Sequence, residues 1–383
     1  MEKAHLRDRA AVPVLTTAAM TSSMLPLFLL GALAPALVTE FGIARPLLGV
    51  LVTAGFGVAA ALSLMIGPVV DAVGPRRSVI ALFAASAVAL AVFSSAPHYA
   101  VLVVAVAIGG VPQALANPST NKLIATAVPP PRRPVLLGIK QSGVQLGAFV
   151  AGLPLAWLAD AVDWRVAVGV PAGCAALAAV ASLVLPHDTA PVRVPTIKVS
   201  LAAEPVVWLL AGFSVLLGCG IAAVNTYVAL FATQELSYSA PAAAGLVAVL
   251  GVVGIAGRIW WARVVSAGRQ PMSLLAPLAL VAAAAPVLLL AANAVLAWLA
   301  VAVVGACAVA ANAVSVLAVV GASTPAQLGR NSALVAAGFF AGFAVGPPLF
   351  GLLVEVSGSY SAGWALVAAE CAAAAAVVKW SQG

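Results

Sequence analysis

The sequence predicts an all-α integral membrane protein of twelve transmembrane helices, arranged as two pseudo-symmetric bundles of six. Three observations predict it. Of 383 residues, 64% are hydrophobic and 8% charged, against roughly 25% charged in soluble domains. Apolar runs of about 18 to 27 residues recur from end to end, each long enough to cross roughly 30 Å of hydrocarbon as a helix. Rare residues also repeat at an offset of 195 positions: Glu40 with Glu235, Pro46 with Pro241, Gly110 with Gly305, Asn117 with Asn312, Gly143 with Gly338 and Gly147 with Gly342.

In order, the spans cover 13–37, 47–69, 78–95, 99–124, 135–158, 165–185, 205–233, 241–261, 273–292, 295–320, 331–354 and 361–380. Span 1 is too long for a secretory leader and ends in "ALVTEFG", without a convincing small-residue cleavage site, so it stays as a helix. Span 4 holds Gln113, Asn117 and Asn121, four apart and therefore on nearly one face. Span 5 opens with "GIKQSGVQLG", where Gly143, Gly147 and Ala151 form a small-residue ridge for close helix packing, repeated as Gly338, Gly342 and Gly346 in span 11. Residues 186–203, "PHDTAPVRVPTIKVSLAA", are the longest polar connection and separate a bundle over 1–185 from one over 204–383.

The charges give an orientation. With the N-terminus inside, Lys3, Arg7, Arg9, Arg76, Arg77, Lys122, Arg132, Arg133, Arg193, Lys198, Arg263, Arg269, Arg330 and Lys379 fall on the cytoplasmic side, against Arg45 and Arg165 outside. This predicts a multi-pass protein of the plasma (inner) membrane with both termini cytoplasmic. The net charge of +7 then marks the cytoplasmic face and anionic headgroups, and nothing suggests nucleic acid as a partner. Cys174, Cys219, Cys307 and Cys371 lie singly in different spans and suggest neither disulfide nor metal. No cofactor is expected.

Parallel six-helix repeats are the construction of carriers that bind a solute at the bilayer midplane and rock one half against the other. The end of span 2, "GPVVDAVGPRRSV", resembles the loop motif between helices 2 and 3 of the major facilitator superfamily, with Gly67, Asp71, Gly74 and Arg76 matching. Ala72 and Pro75 depart from it, and the second-half counterpart "ARVVSAGRQ" has Ser266 in place of the acid. The resemblance implies gating roles for Gly67, Asp71, Gly74, Arg76 and Arg77. Asp71 is expected against the N-terminus of helix 11, whose dipole favours a carboxylate; topology alone is the other reading of the arginines. "ANPSTNKLIA" and "GIKQSGVQLG" also look like the branch that includes cyanate-permease-type carriers. Helix 4 has no basic residue in "VLVVAVAIGG", and Ala148 replaces the proline of the antiporter pattern, so proton-driven drug efflux is not favoured.

In this fold helices 1, 4, 7 and 10 are expected to line a central cavity, where water or solute satisfies buried amides. Candidate substrate contacts are therefore Asn117, Asn312, Gln113, Asn121, Gln141, Gln145, Asn225 and Tyr227, with helix–helix glue as the alternative for the amides and closure of the outer gate for Tyr227. Lys140 has two readings, snorkelling to the interface or pointing inward. Arg258 precedes Ala262 by four residues, a spacing that resembles monocarboxylate and oxalate carriers, whose arginine contacts the substrate carboxylate; a gate-holding interfacial arginine is the alternative. Those carriers place an acid one turn earlier, where Gly254 stands here. Glu370 in span 12 is the one acid well inside a span and the only obvious proton-coupling candidate, although on a helix expected to be peripheral the favoured reading is a paired or lipid-shielded protonated acid.

The expected function is secondary transport of a small organic or inorganic anion by alternating access, by a monomer. The alternative is efflux of an uncharged or amphiphilic compound. Enzymatic chemistry is disfavoured, since His5, His98 and His187 fall outside the spans and no Gly-rich phosphate loop occurs.

Overall fold

The computed structural model describes residues 2–188, 203–324 and 327–380, and the side chains of these apart from residues 2–10 and 134. The side chains of Lys3, Arg7 and Arg9, together with Arg193, Lys198 and most of the linker at 186–203, lie outside those descriptions.

Every predicted span is a helix: α1 Ala11–Ala32, α2 Arg45–Ser63, α3 Pro75–Ser94, α4 Tyr99–Ala127, α5 Pro130–Ala161, α6 Trp164–Val184, α7 Pro205–Glu235, α8 Ala240–Ser266, α9 Pro271–Leu289, α10 Ala294–Gly321, α11 Leu328–Ser357 and α12 Tyr360–Trp380. Among the described residues there is no strand. Spans 1 and 2 are shorter than the sequence predicts, and each continues as a separate short helix, Ala34–Phe41 and Ile66–Val73. Proline accounts for both breaks: Pro35 and Pro68 lack the N–H that would continue the ladder, so the chain turns before each.

The internal repeat reappears in the packing. A Cβ at Gly110 on α4 would lie 2.4 Å from the Gly55 carbonyl oxygen on α2, and one at Gly305 on α10 would lie 2.9 Å from that of Leu250 on α8. Gly55 and Leu250 are themselves 195 apart. The glycine ridge of α5 packs on α1, with Gly143 against Thr17, and that of α11 packs on α7, with Gly338 against Ala211, Gly342 against Val215 and Gly346 against Cys219. Backbone approaches this close exist only because no side chain intervenes.

The even number of spans puts both termini on one face of the bundle. At the opposite face the two halves are bonded together. Arg45, at the start of α2, donates to Gln234 (3.0 Å) on α7, pairs with Glu355 (3.4 Å) on α11 and lies 5.3 Å over the Tyr360 ring on α12. The Tyr227 hydroxyl lies 2.7 Å from the Arg45 carbonyl oxygen and 3.0 Å from that of Pro347. Gly351 leaves room for this hydroxyl, since a Cβ there would approach it to 2.4 Å. One turn deeper, Thr53 donates to the Ala344 carbonyl (2.6 Å), which Pro348 cannot serve because it has no N–H. Among the described residues, no side-chain hydrogen bond or ion pair joins the halves between Arg258 and the termini face.

Arg45→Ala is expected to weaken this closure by about 1 kcal/mol, roughly a fivefold shift toward forms open at that face. Spin labels at Leu47 and Val356, near the ends of α2 and α11, measure it. An unchanged distance distribution would show that the Arg45 contacts do not hold the seam.

Candidate functional site

Where α1, α5, α7, α8, α10 and α11 converge, a cavity of about 30 Å³ lies between the halves. Its polar wall is Gln145, Asn225, Arg258 and Asn312; its apolar wall includes Met24, Phe28, Phe339 and Phe343. Arg258 projects from α8 across the interface, and its guanidinium reaches the Gln141 carbonyl of α5 only weakly, at 3.4 Å. Among the described residues its Nε has no partner. A buried guanidinium N–H without an acceptor is costly, and a carboxylate or other oxyanion is the chemistry that would satisfy it.

Gln145 lines the same cavity from α5. It occupies the space beside Gly254, where a Cβ would lie 3.0 Å from Gln145 Cγ and 3.2 Å from its Nε2. Gly254, read from sequence as a missing acid, is thus the residue that admits the Gln145 amide.

Lys140 does not snorkel. Its side chain is 2% exposed, and Nζ donates to Thr120 Oγ1 (2.9 Å) and Asn117 Oδ1 (3.0 Å) on α4. Among the described residues no carboxylate pairs with Lys140 or with Arg258. Lys140 also explains why two repeat-related amides part company. Asn117 accepts from Lys140, whereas position 335, which is 195 after Lys140, is valine, and Asn312 turns to the cavity instead.

Other candidates are placed differently from the sequence expectation. Helix α4 contributes no residue to the cavity wall: Asn117 is held by Lys140, Asn121 is exposed, and Gln113 is buried with its Oε1 unpartnered. Tyr227 lies on the seam opposite the termini, the gate-closing alternative read from sequence, with two carbonyl oxygens around its hydroxyl. Gln141 contributes its backbone carbonyl to the site. Glu370 lies between α7 and α12, beside Gly220 and Cys371 and outside the cavity wall.

The gating group is also rearranged. Asp71 pairs with Lys122 of α4 (2.6 Å), not with the start of α11, and its side chain is 73% exposed. Gly67 has no neighbour within 4 Å of a Cβ position. Arg76 and Arg77 offer backbone N–H groups, each 3.1 Å from a different oxygen of the Asp188 carboxylate, which caps the first turn of α3. Gly74 is required there: its φ is +101°, and a Cβ would meet that carboxylate at 2.4 Å. Asp188 was not singled out from sequence, since its 112-residue separation from Arg76 leaves no local pattern.

A larger cavity of about 300 Å³ opens on the bundle surface, bounded by Phe149, Leu153, Val249 and Trp298. Its lining is apolar, with no group that could recognise a charged solute.

A sequence profile of the Major Facilitator Superfamily matches residues 15–312. No curated protein matches the chain significantly. Among solved structures, a bacterial homologue of the human lysosomal transporter Spinster is similar in two inward-facing forms. The unoccupied form has 14% identity and a TM-score of 0.70, over 97% of this chain and 95% of that one. The occupied form has 15% identity and a TM-score of 0.75, over 98% and 97%. At such identities the likeness is one of fold, and it agrees with the helix order and repeat described above. The chain belongs to the major facilitator superfamily of membrane transporters.

Proposed function

We propose that this protein is a secondary transporter that moves a small organic or inorganic anion by alternating access. The observation that carries the reading is the pair of inward-pointing bases, Arg258 at the cavity and Lys140 one residue before Gln141, with no carboxylate paired to either among the described residues. Uncompensated positive charge in a low-dielectric interior favours an anion. The likeness of the span 4 and span 5 motifs to cyanate-permease-type carriers supports the same reading.

The basic residues on the termini face support an inner-membrane protein with cytoplasmic termini, so the bonded seam would close the outside. In the rocking cycle, Arg45, Tyr227 and Thr53 would release as Asp71 leaves Lys122 and approaches α11. We take the functional unit to be a monomer with halves at 1–185 and 204–383, joined by 186–203, and the lipid bilayer and the solute to be its partners. Glu370, outside the cavity wall, is the remaining proton-coupling candidate. The aromatic wall of Phe28, Phe339 and Phe343 favours a second reading, export of an amphiphile.

Thermal unfolding of the purified protein against small anions, neutral solutes and hydrophobic cations separates the two. A ligand at 100 times its dissociation constant stabilises by about 2.7 kcal/mol. Stabilisation by one anion class supports the carrier; stabilisation by amphiphiles alone replaces it with export.

A further inference from the structure

The cavity presents orphaned groups of both signs. Among the described residues, Arg258 Nε is a donor without an acceptor, while Asn225 Oδ1 and Gln145 Oε1 are acceptors without donors. The Asn225 amide cannot be flipped to remove the conflict, because its Nδ2 already donates to the Ile221 carbonyl at 2.9 Å and thereby assigns Oδ1 to the other side. Asn225 and Gln145 are 2% and 3% exposed, so bulk water does not serve either oxygen.

A halide or nitrate would answer Arg258 and leave both amide oxygens facing negative charge. A plain alkyl carboxylate has the same defect. A buried acceptor left unmade forfeits its desolvation cost, and sites that hydrogen-bond a substrate hydroxyl or N–H therefore reject analogues lacking it. These groups converge on one cavity of about 30 Å³, so the substituents that meet them are compact.

We infer that the transported anion carries its own hydrogen-bond donor: a hydroxy- or amino-substituted carboxylate whose oxyanion lies on Arg258 and whose O–H or N–H is given to Asn225 Oδ1, with Gln145 Oε1 as a second acceptor. This rests on the anion reading above and narrows it. Asn225 is then a specificity-determining residue, and the aromatic wall receives the carbon skeleton.

The test is isothermal titration of the purified full chain with 2-hydroxybutyrate, 3-hydroxybutyrate, butyrate and nitrate, repeated on Asn225→Leu. At least one hydroxy acid is expected to bind about tenfold more tightly than butyrate or nitrate, and Asn225→Leu should reduce that preference to within about twofold. If butyrate or nitrate binds the wild type as tightly as the hydroxy acids, the donor requirement is wrong while the anion carrier stands. If the preference survives in Asn225→Leu, its assignment to Asn225 is wrong. If none of the four binds, this substrate class is overturned, and the broader anion panel decides whether the carrier reading falls with it. The comparison in the wild type holds even if the variant fails to fold.

Discussion

Arg258→Ala is expected to weaken binding of any stabilising anion by about 30-fold or more. Truncating one member of a buried, hydrogen-bonded charge contact costs about 2–5 kcal/mol, and each 1.4 kcal/mol is tenfold. The guanidinium has little to lose inside the protein: one weak contact to Gln141 and an unpartnered Nε. Removing it should therefore spare the fold, and the ligand-free melting temperature should hold or rise. Arg258→Lys keeps the charge but not the planar fork, so intermediate binding is expected. Titration of the anion that shifts the melt reads both variants. Equal affinity in wild type and Arg258→Ala would sink the anion reading, because no other charged side chain among the described residues lines the cavity.

The second large effect is on stability. Gly342→Leu is expected to destabilise the protein by about 3 kcal/mol, at the upper end of the cost of overpacking. A Cβ at Gly342 would lie 2.1 Å from the Val215 carbonyl oxygen and 2.9 Å from the Cys219 nitrogen, both backbone atoms of α7 that no rotamer change can move. Helices α7 and α11 would have to separate along the ridge that also includes Gly338 and Gly346. Gly212 is the control: nothing lies within 4 Å of its Cβ position, although it is on the same α7. Gly212→Ala should stabilise slightly, since alanine is the better helix former. A melt showing Gly342→Leu as stable as Gly212→Ala would mean the two helices are not packed in this register.

The two experiments probe different links. Gly342 concerns how the halves are built, and Arg258 concerns what the space between them holds. The Arg45 seam stands between them, since it bonds the two halves at the face opposite the termini.

Composition, hydropathy and the 195-residue offset determined the number of spans, their order, the small-residue ridges and the two-bundle fold. Each of these depends on properties that run continuously along the chain, so a linear reading recovers them. Arg258, Lys140 and Gln145 could be picked out because charges and amides are rare inside spans. Their surroundings could not. That Lys140 turns to Asn117 and Thr120, that Gly254 admits Gln145, that Tyr227 closes a seam, and that Asp188 caps α3 were decided only by tertiary structure. In each case the partners come from different helices, and periodicity says which face a residue is on but not which neighbour stands opposite. Proline shows the same boundary: Pro35 and Pro348 are visible in sequence, but the carbonyl that Pro348 leaves free found its donor, Thr53, 291 positions away.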